Sequence, residues 1–199
     1  MKTKILSVIT MFVMVLGLTK STYANSLTMD AFTLLNDIST INKIEVHGNV
    51  ELYISDATQD QVKVYNKYYA ERALVQSKNG VLSIASYTNE KLVVWVSAAD
   101  LRSVSVFDNS TVKSFGKLSK IEFNVDLHNN AVASLNLDAF STTVTVKDNA
   151  TADLKGATEE LNLNRAIQSN VKSNNFAVSH LVENKAIYTA GMGSNTMGM

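Results

Sequence analysis

Apolar and polar residues alternate along much of the chain, a pattern typical of β-strands with one buried face. Apolar residues occupy every second position of two early stretches, Ile44 with Val46 and then Val50 to Ile54. A third stretch contains Val62 and Val64 after a polar turn. These stretches predict β-strands whose other face is polar.

Residues 74–78 and 81–86 also read as strands, and Asn79-Gly80 separates them. Asn-Gly supplies the positive backbone φ angles of a two-residue hairpin turn, so we predict an antiparallel hairpin here. Residues 91–97 (KLVVWVS) follow as the most apolar segment. Its continuous run predicts a strand buried on both faces, with the single tryptophan, Trp95, in the core; a ligand platform is the alternative role for this residue.

From Val104 to Thr189 a polar corner rich in Asn interrupts the alternation repeatedly. The clearest copies are VSVFDNSTV, VDLHNNAVA and VTVKDNATA, and weaker copies follow. One apolar residue stands two positions before each corner and recurs about every 20 residues. We expect these residues to form one buried column: Val106, Leu127, Val146, Leu163 and Val182.

Repeats of this length stack on one another when each is too small to bury its own apolar face. They contain short β-branched strands and no room for a helical pair, so we predict an all-β fold, a single-stranded, parallel, right-handed β-helix with coils of about 20 residues. An antiparallel sandwich with frequent Asn turns is the alternative.

The corner residues are predicted to be structural, because Asn and Asp tolerate left-handed backbone and bond to neighbouring amides. We expect the second residue of each clear corner to hold the left-handed conformation. The predicted corner residues are Asp108, Asn109, Asn129, Asn130, Asp148, Asn149 and Asn184.

Two motifs resemble a known family. Ile44 to Ile54 reads Ile-x-Val-x-Gly-x-Val-x-Leu-x-Ile, and Gly80, Leu82 and Ile84 form Gly-x-Leu-x-Ile. With the repeats, these motifs resemble the head-GIN domain family of auto-transporter adhesins from about Ile41 to Ala190. Family repeats usually have Ser-Gly corners, where this chain has Asp-Asn or Asn-Asn. The resemblance implies a secreted or cell-envelope β-helical domain with an adhesin-like role and no catalytic residues.

The N-terminus carries an export signal. Lys2 and Lys4 precede an apolar run at residues 5–18, and Thr22-Tyr23-Ala24 fits a signal-peptidase site. We therefore predict that residues 1–24 are a signal peptide and that the protein is secreted, periplasmic or at the cell surface. A membrane anchor is the alternative, but the run is shorter than the roughly 18–20 residues of a bilayer span. The chain has no Cys, which excludes disulfides and lipid attachment at cysteine.

Three further segments complete the predicted organisation. Residues 25–40 are expected to be a helix or loop that caps the open end of the strands. Residues 41–190 form the β-helical domain. Residues 191–199 lack periodicity and are expected to be a disordered tail.

The charge and the aromatic residues of the chain indicate which classes of partner it can bind. Eighteen basic and eighteen acidic residues leave no net charge, and no basic run is present, which argues against nucleic acid. Tyr65, Tyr68, Tyr69 and Arg72 form a candidate binding cluster, since rings stack on sugar faces. Alternatively, the tyrosines cover the strands with their hydroxyls in water. We expect a surface glycan or envelope protein as partner, and no integral membrane segment after cleavage.

Catalysis has weak support in the sequence. Asp108 and Asp148 occupy equivalent corners about 10 Å apart if each coil rises one strand spacing, which is long for paired carboxylates. The histidines lie in different repeats, so we predict no metal site and no cofactor. Catalytic β-helices usually carry long loops that wall a cleft, which these short repeats lack. We predict a non-enzymatic binding protein, with a small polysaccharide lyase or hydrolase as the alternative.

Overall fold

The computed structural model describes residues 32–35, 38, 40–65 and 73–186, and these residues form β-strands, turns and loops without a helix. The all-β prediction is therefore confirmed for this part of the chain. It contains no helix with the length and hydropathy that a membrane span requires. The strands, in chain order, are β1 (Thr33–Leu35), β2 (Lys43–Gly48), β3 (Val50–Asp56), β4 (Gln61–Val64), β5 (Ala73–Lys78), β6 (Val81–Ser86), β7 (Leu92–Ala98), β8 (Ser103–Val106), β9 (Thr111–Ser114), β10 (Leu118–Leu127), β11 (Val132–Val146), β12 (Thr151–Ala166) and β13 (Asn170–Ala186).

The described strands form one sheet with two branches. Branch A runs β5-β6-β2-β8-β10, and branch B runs β1-β4-β7-β3-β9-β11. The branches join where β10 pairs with β11, and β12 and β13 extend the sheet from there. The chain crosses from branch A to branch B at each corner, because β2 leads into β3, β8 into β9 and β10 into β11.

Most strand pairs are parallel, and their register follows the sequence repeat. Val106 pairs with Leu127, Leu127 with Val146, and Val146 with Arg165. The antiparallel pairs of the described strands are β1–β4, β4–β7 and β5–β6. The last is the predicted hairpin, and its turn has φ of 52° at Asn79 and 81° at Gly80, as a two-residue type I′ turn requires.

One face of β2, of β3 and of β4 is buried, as the alternation predicts. Burial alternates along β2, β3 and β4. It also alternates along β7, where Leu92, Val94 and Val96 are buried while Trp95 is only half-buried. The prediction that residues 91–97 are buried on both faces, with Trp95 in the core, is wrong. Every second side chain of β7 lies on the outward face of the sheet and is only half-buried.

The predicted buried column is correct over three repeats and wrong for the last two. Val106, Leu127 and Val146 are fully buried and share one column. Leu163 pairs with Val144, which is the inward-facing residue just before Val146 on β11, and so it lies outside the column. Val182 is 59% exposed. The reason is that β12 continues to Ala166, so its turn comes later than the motif suggests.

The mistaken alignment came from asparagines that lie within strands. Asn184 is inside β13 and its Nδ2 donates to Asn164 Oδ1 of the adjacent strand at 3.0 Å, so the prediction of a corner at Asn184 is wrong. Arg165 and Lys185 occupy the column positions that follow Val146. The Nε of Arg165 lies 2.8 Å from Glu183 Oε1, and the ammonium of Lys185 lies 3.5 Å from the same oxygen. The apolar column thus ends in charged residues on β12 and β13, and charges at the end of a sheet protect its edge from further pairing.

The segments that flank the domain are described only in part. Within the predicted cap, residues 33–35 form β1, which pairs antiparallel with β4 instead of forming a helix or loop. The predicted signal peptide at residues 1–24 and the predicted tail at 191–199 lie outside the described residues.

Candidate binding surface

Four aromatic side chains lie together on the outward face of branch B: Tyr53, Tyr65, Trp95 and Phe115, called here the aromatic patch. The rings of Tyr53 and Trp95 stack with centroids 4.8 Å apart and planes 23° from parallel. Phe115 meets Trp95 at 5.1 Å and Tyr65 meets it at 6.4 Å, both tilted. Trp95 is therefore the centre of the patch.

Strand register places these rings side by side. Tyr53 of β3 pairs directly with Trp95 of β7, and both alternate with buried residues, so both project outward. Tyr65 directly follows β4, and its backbone N–H donates to the carbonyl of Val93 at 2.9 Å. Phe115 follows β9 and is 62% exposed. Four segments distant in sequence thus supply one continuous apolar surface.

A charged group borders the patch. The ammonium of Lys113 lies 2.6 Å from Glu51 Oε1, and the hydroxyl of Tyr53 donates to the same oxygen at 2.8 Å. The hydrogen bond from Lys113 lowers the pKa of Glu51, although burial opposes this shift. The hydrogen bond from Lys113 to Glu51 raises the pKa of Lys113, and the hydrogen bond from the Tyr53 hydroxyl to Glu51 raises the pKa of Tyr53. Glu51 is thereby held as a carboxylate and Lys113 as a cation.

The structure describes one residue of the candidate binding cluster predicted from sequence. Tyr65 belongs to the aromatic patch, where its ring also lies 5.5 Å from that of Phe32. Tyr68, Tyr69 and Arg72 lie outside the described residues. Sequence reasoning missed Tyr53, Trp95 and Phe115. The available signal was the alternation within each strand: Tyr53 and Trp95 each lie between two inward-facing apolar residues, which places both rings on the outward face.

The corners form regular turns, and the residue with positive φ lies one position earlier in each turn than predicted. Positive φ occurs at Asp108 (61°), Asn129 (58°) and Asp148 (53°), the first residue of each corner. The prediction that Asn109, Asn130 and Asn149 hold the left-handed conformation is therefore wrong. A positive φ confined to the first central residue is the pattern of a type II′ turn.

Each corner side chain caps the corner of the preceding repeat. Asp108 Oδ2 accepts the N–H of Gly48 at 2.8 Å, and Asn129 Oδ1 accepts the N–H of Asp108 at 3.2 Å. Asp148 Oδ2 accepts the N–H of Asn129 at 3.0 Å. The second corner residues add another rung, since Asn130 Nδ2 donates to Asn109 Oδ1 at 3.2 Å. These bonds satisfy turn amides that the strands leave unpaired.

The same bonds bear on the enzymatic alternative. The carboxylates of Asp108 and Asp148 both bind backbone N–H groups of a neighbouring turn. This is the structural use of a carboxylate, and it accounts for both residues without a reaction. No group of three or more potential metal ligands occurs among the described residues. His47 and His128 stack on opposite faces of Phe107, with centroids 4.4 and 4.5 Å away.

Replacing Asn129 with Val is expected to destabilise the protein by about 2–3 kcal/mol, because a β-branched residue is strained at positive φ and the bond to the Asp108 N–H is lost. The matched control is Asn130→Val, which we expect to cost less than about 1 kcal/mol. Urea unfolding followed by circular dichroism measures both. Equal losses would mean that the left-handed position is not at Asn129.

The chain is similar to known proteins in sequence and in fold. The family described as "Putative auto-transporter adhesin, head GIN domain" matches residues 40–187. No curated protein matches the chain. The structure of a "putative adhesin" from Bacteroides fragilis is similar, with a TM-score of 0.69 at 12% identity over 78% of this chain and 76% of that one.

Two further structures share the fold. A "putative adhesin" from Parabacteroides merdae has a TM-score of 0.56 at 14% identity, over 79% of this chain and 77% of that one. A "putative lipid binding protein" from Parabacteroides distasonis has a TM-score of 0.58 at 10% identity, over 78% of both chains. At these identities the likeness is one of fold.

Proposed function

The chain belongs to the family described as "Putative auto-transporter adhesin, head GIN domain", and on that premise we propose that it is a non-enzymatic, adhesin-like protein that binds carbohydrate through the aromatic patch. The observation that carries this proposal is the position of Trp95. Its ring stands on the outward face among three other aromatic rings. Solvent-facing aromatic clusters of this kind mark interaction sites in soluble proteins.

The chemistry of the patch suits a sugar ring. Sugars present C–H faces that pack on aromatic rings, and they present hydroxyls that bond to nearby polar groups. Ser55 and Ser97 lie beside the patch with their hydroxyls 3.0 Å apart, and Glu51 supplies a carboxylate acceptor. Apolar contact combined with a few placed polar groups is typical of small-ligand sites.

The cellular location follows the same proposal. An adhesin acts outside the cell, and the predicted signal peptide at residues 1–24 would export it to the periplasm or surface. An exported protein can meet glycans of a cell surface, and we propose such a glycan as the partner. An envelope protein is the alternative partner.

We further infer that residues 103–186 wind as a single-stranded parallel β-helix with coils of about 20 residues. Support comes from the parallel register, in which Val132 pairs with Thr151 and Thr151 with Asn170. Corner bonds that link residues 21 and 19 positions apart add to it. Substitutions along the column of Val106, Leu127 and Val146 test this inference.

Replacing Trp95 with Ala is expected to weaken glycan binding about tenfold or more, because the central ring of the patch is lost. The matched control is Phe140→Ala, which removes another exposed ring, 57% accessible, from β11. We expect Phe140→Ala to bind as the unmodified protein does. Glycan-array binding followed by calorimetry measures both variants, and circular dichroism checks their fold. Equal binding by the two variants would refute a site at the patch.

A further inference from the structure

Cations surround the aromatic patch, and few carboxylates balance them. Lys63 of β4 pairs in register with Trp95, and Lys113 of β9 pairs with Tyr53. Lys91, which precedes β7, is close enough to Glu51 to lower the pKa of that carboxyl. Among these described residues Glu51 supplies the carboxylate, and it forms an ion pair with Lys113.

The cations flank the stacked rings in one row across the sheet. The register order is Lys63, Trp95, Tyr53 and Lys113. With neighbouring strands about 4.8 Å apart, the two lysine positions are roughly 14 Å from one another. An extended ligand lying across the strands would therefore contact two aromatic rings and reach an ammonium at each end.

Lys63 has no carboxylate within salt-bridge distance among the described residues. Its Nζ lies 5.3 Å from the centre of the Phe32 ring, and Lys113 Nζ lies 5.5 Å from that of Tyr53. Both ammonium groups are thus held beside the rings of the patch, within reach of a ligand that packs on those rings.

We propose that the ligand of the aromatic patch is an acidic glycan, one whose sugars carry carboxylates. This inference rests on the proposed function and names its substrate class. Sugar rings pack on Trp95 and Tyr53, and a carboxylate accepts charge-assisted hydrogen bonds from Lys63. A second carboxylate along the glycan reaches Lys91, or shares Lys113 with Glu51. A neutral glycan would bind to the rings alone.

The test uses the purified protein and immobilised oligosaccharides in matched pairs, each neutral hexose oligomer beside its counterpart with C6 oxidised to a carboxylate. We expect the acidic member of a bound pair to bind at least about tenfold tighter at low salt. High salt should reduce this preference, because it screens exposed charges. Lys63→Gln should remove most of the preference. Lys78→Gln, which changes an exposed lysine of β5 at the far edge of branch A, should leave it intact.

The outcomes separate this inference from the proposed function. Equal binding of both members in every bound pair would overturn the acidic class and leave carbohydrate binding standing. Failure of all neutral and acidic glycans to bind would overturn both. Vesicles containing phosphatidylserine provide the third arm. Binding to these vesicles that depends on Lys63, without binding to acidic glycans, would assign the cations to a lipid surface and overturn the inference.

Discussion

Replacing Leu127 with Asp is expected to destabilise the protein by at least about 4 kcal/mol, a large share of the roughly 5–15 kcal/mol that holds a domain folded. Leu127 is fully buried between Val106 and Val146 in the central column. The substitution removes a packed leucine and places a carboxylate among apolar neighbours.

Val146→Asp is the informative partner of this substitution. Val146 is equally buried, but its neighbour on the other side is Arg165, which faces the same column. Arg165 and Lys185 share one carboxylate, Glu183, so a new carboxylate at position 146 gains a nearby cation. We expect Val146→Asp to cost about 2 kcal/mol less than Leu127→Asp.

Asparagine variants isolate the effect of charge. Leu127→Asn and Val146→Asn are close in shape to the Asp variants and uncharged, so the Asp-minus-Asn difference in unfolding free energy reports the charge alone. This difference should be large at position 127 and small at position 146. Urea unfolding at neutral pH, followed by circular dichroism, measures it. Equal differences at both positions would mean that Arg165 does not face the column.

Much of the fold is predictable from sequence because burial with a period of two is a local property. The alternation from Ile44 to Ile54 identifies inward residues without reference to any partner strand. The column of Val106, Leu127 and Val146 also follows from sequence, since clear corners fix its register. It fails at Leu163 because the corner after β12 contains Ile167 and Gln168 and therefore lacks the Asn signature.

The aromatic patch was harder to predict because it depends on pairing between distant segments. Tyr53 and Trp95 meet only because β3 and β7 pair in one particular register. Phe115 joins them from the segment after β9, which pairs with the other edge of β3. A long apolar run such as KLVVWVS also hides its outward face, since Val93 and Trp95 are as apolar as their buried neighbours.

The position of the left-handed residue within each corner could not be predicted from the sequence of one repeat. Each clear corner has two adjacent polar residues, both able to adopt left-handed backbone, so composition does not decide between them. Stacking decides it. The first residue of the pair is the one whose side chain reaches the N–H of the corresponding residue one repeat earlier, as Asn129 does with Asp108. That contact joins two repeats and is not visible in either one alone.

Replacing Gly48 with Ala is expected to destabilise the protein by about 3–5 kcal/mol, because two costs add at this position. Gly48 begins the column of corner residues and has φ of 85°. A Cβ there would lie 2.1 Å from the carbonyl oxygen of Ser86, the last residue of β6. That oxygen also accepts the N–H of Asn49 at 2.6 Å, so the backbone cannot move away without losing a bond.

Gly116→Ala separates the two costs. Gly116 has φ of 81°, close to that of Gly48, but a Cβ there would meet nothing within 4 Å. It should therefore lose only the roughly 1–2 kcal/mol of left-handed strain. Thermal and urea unfolding of both variants measure the difference. Similar losses would mean that β2 and β6 can separate at this corner at little cost. A much larger loss for Gly48→Ala would show that the close approach of the two strands, and not backbone conformation alone, requires glycine at position 48. The equivalent positions of later repeats are Asp or Asn.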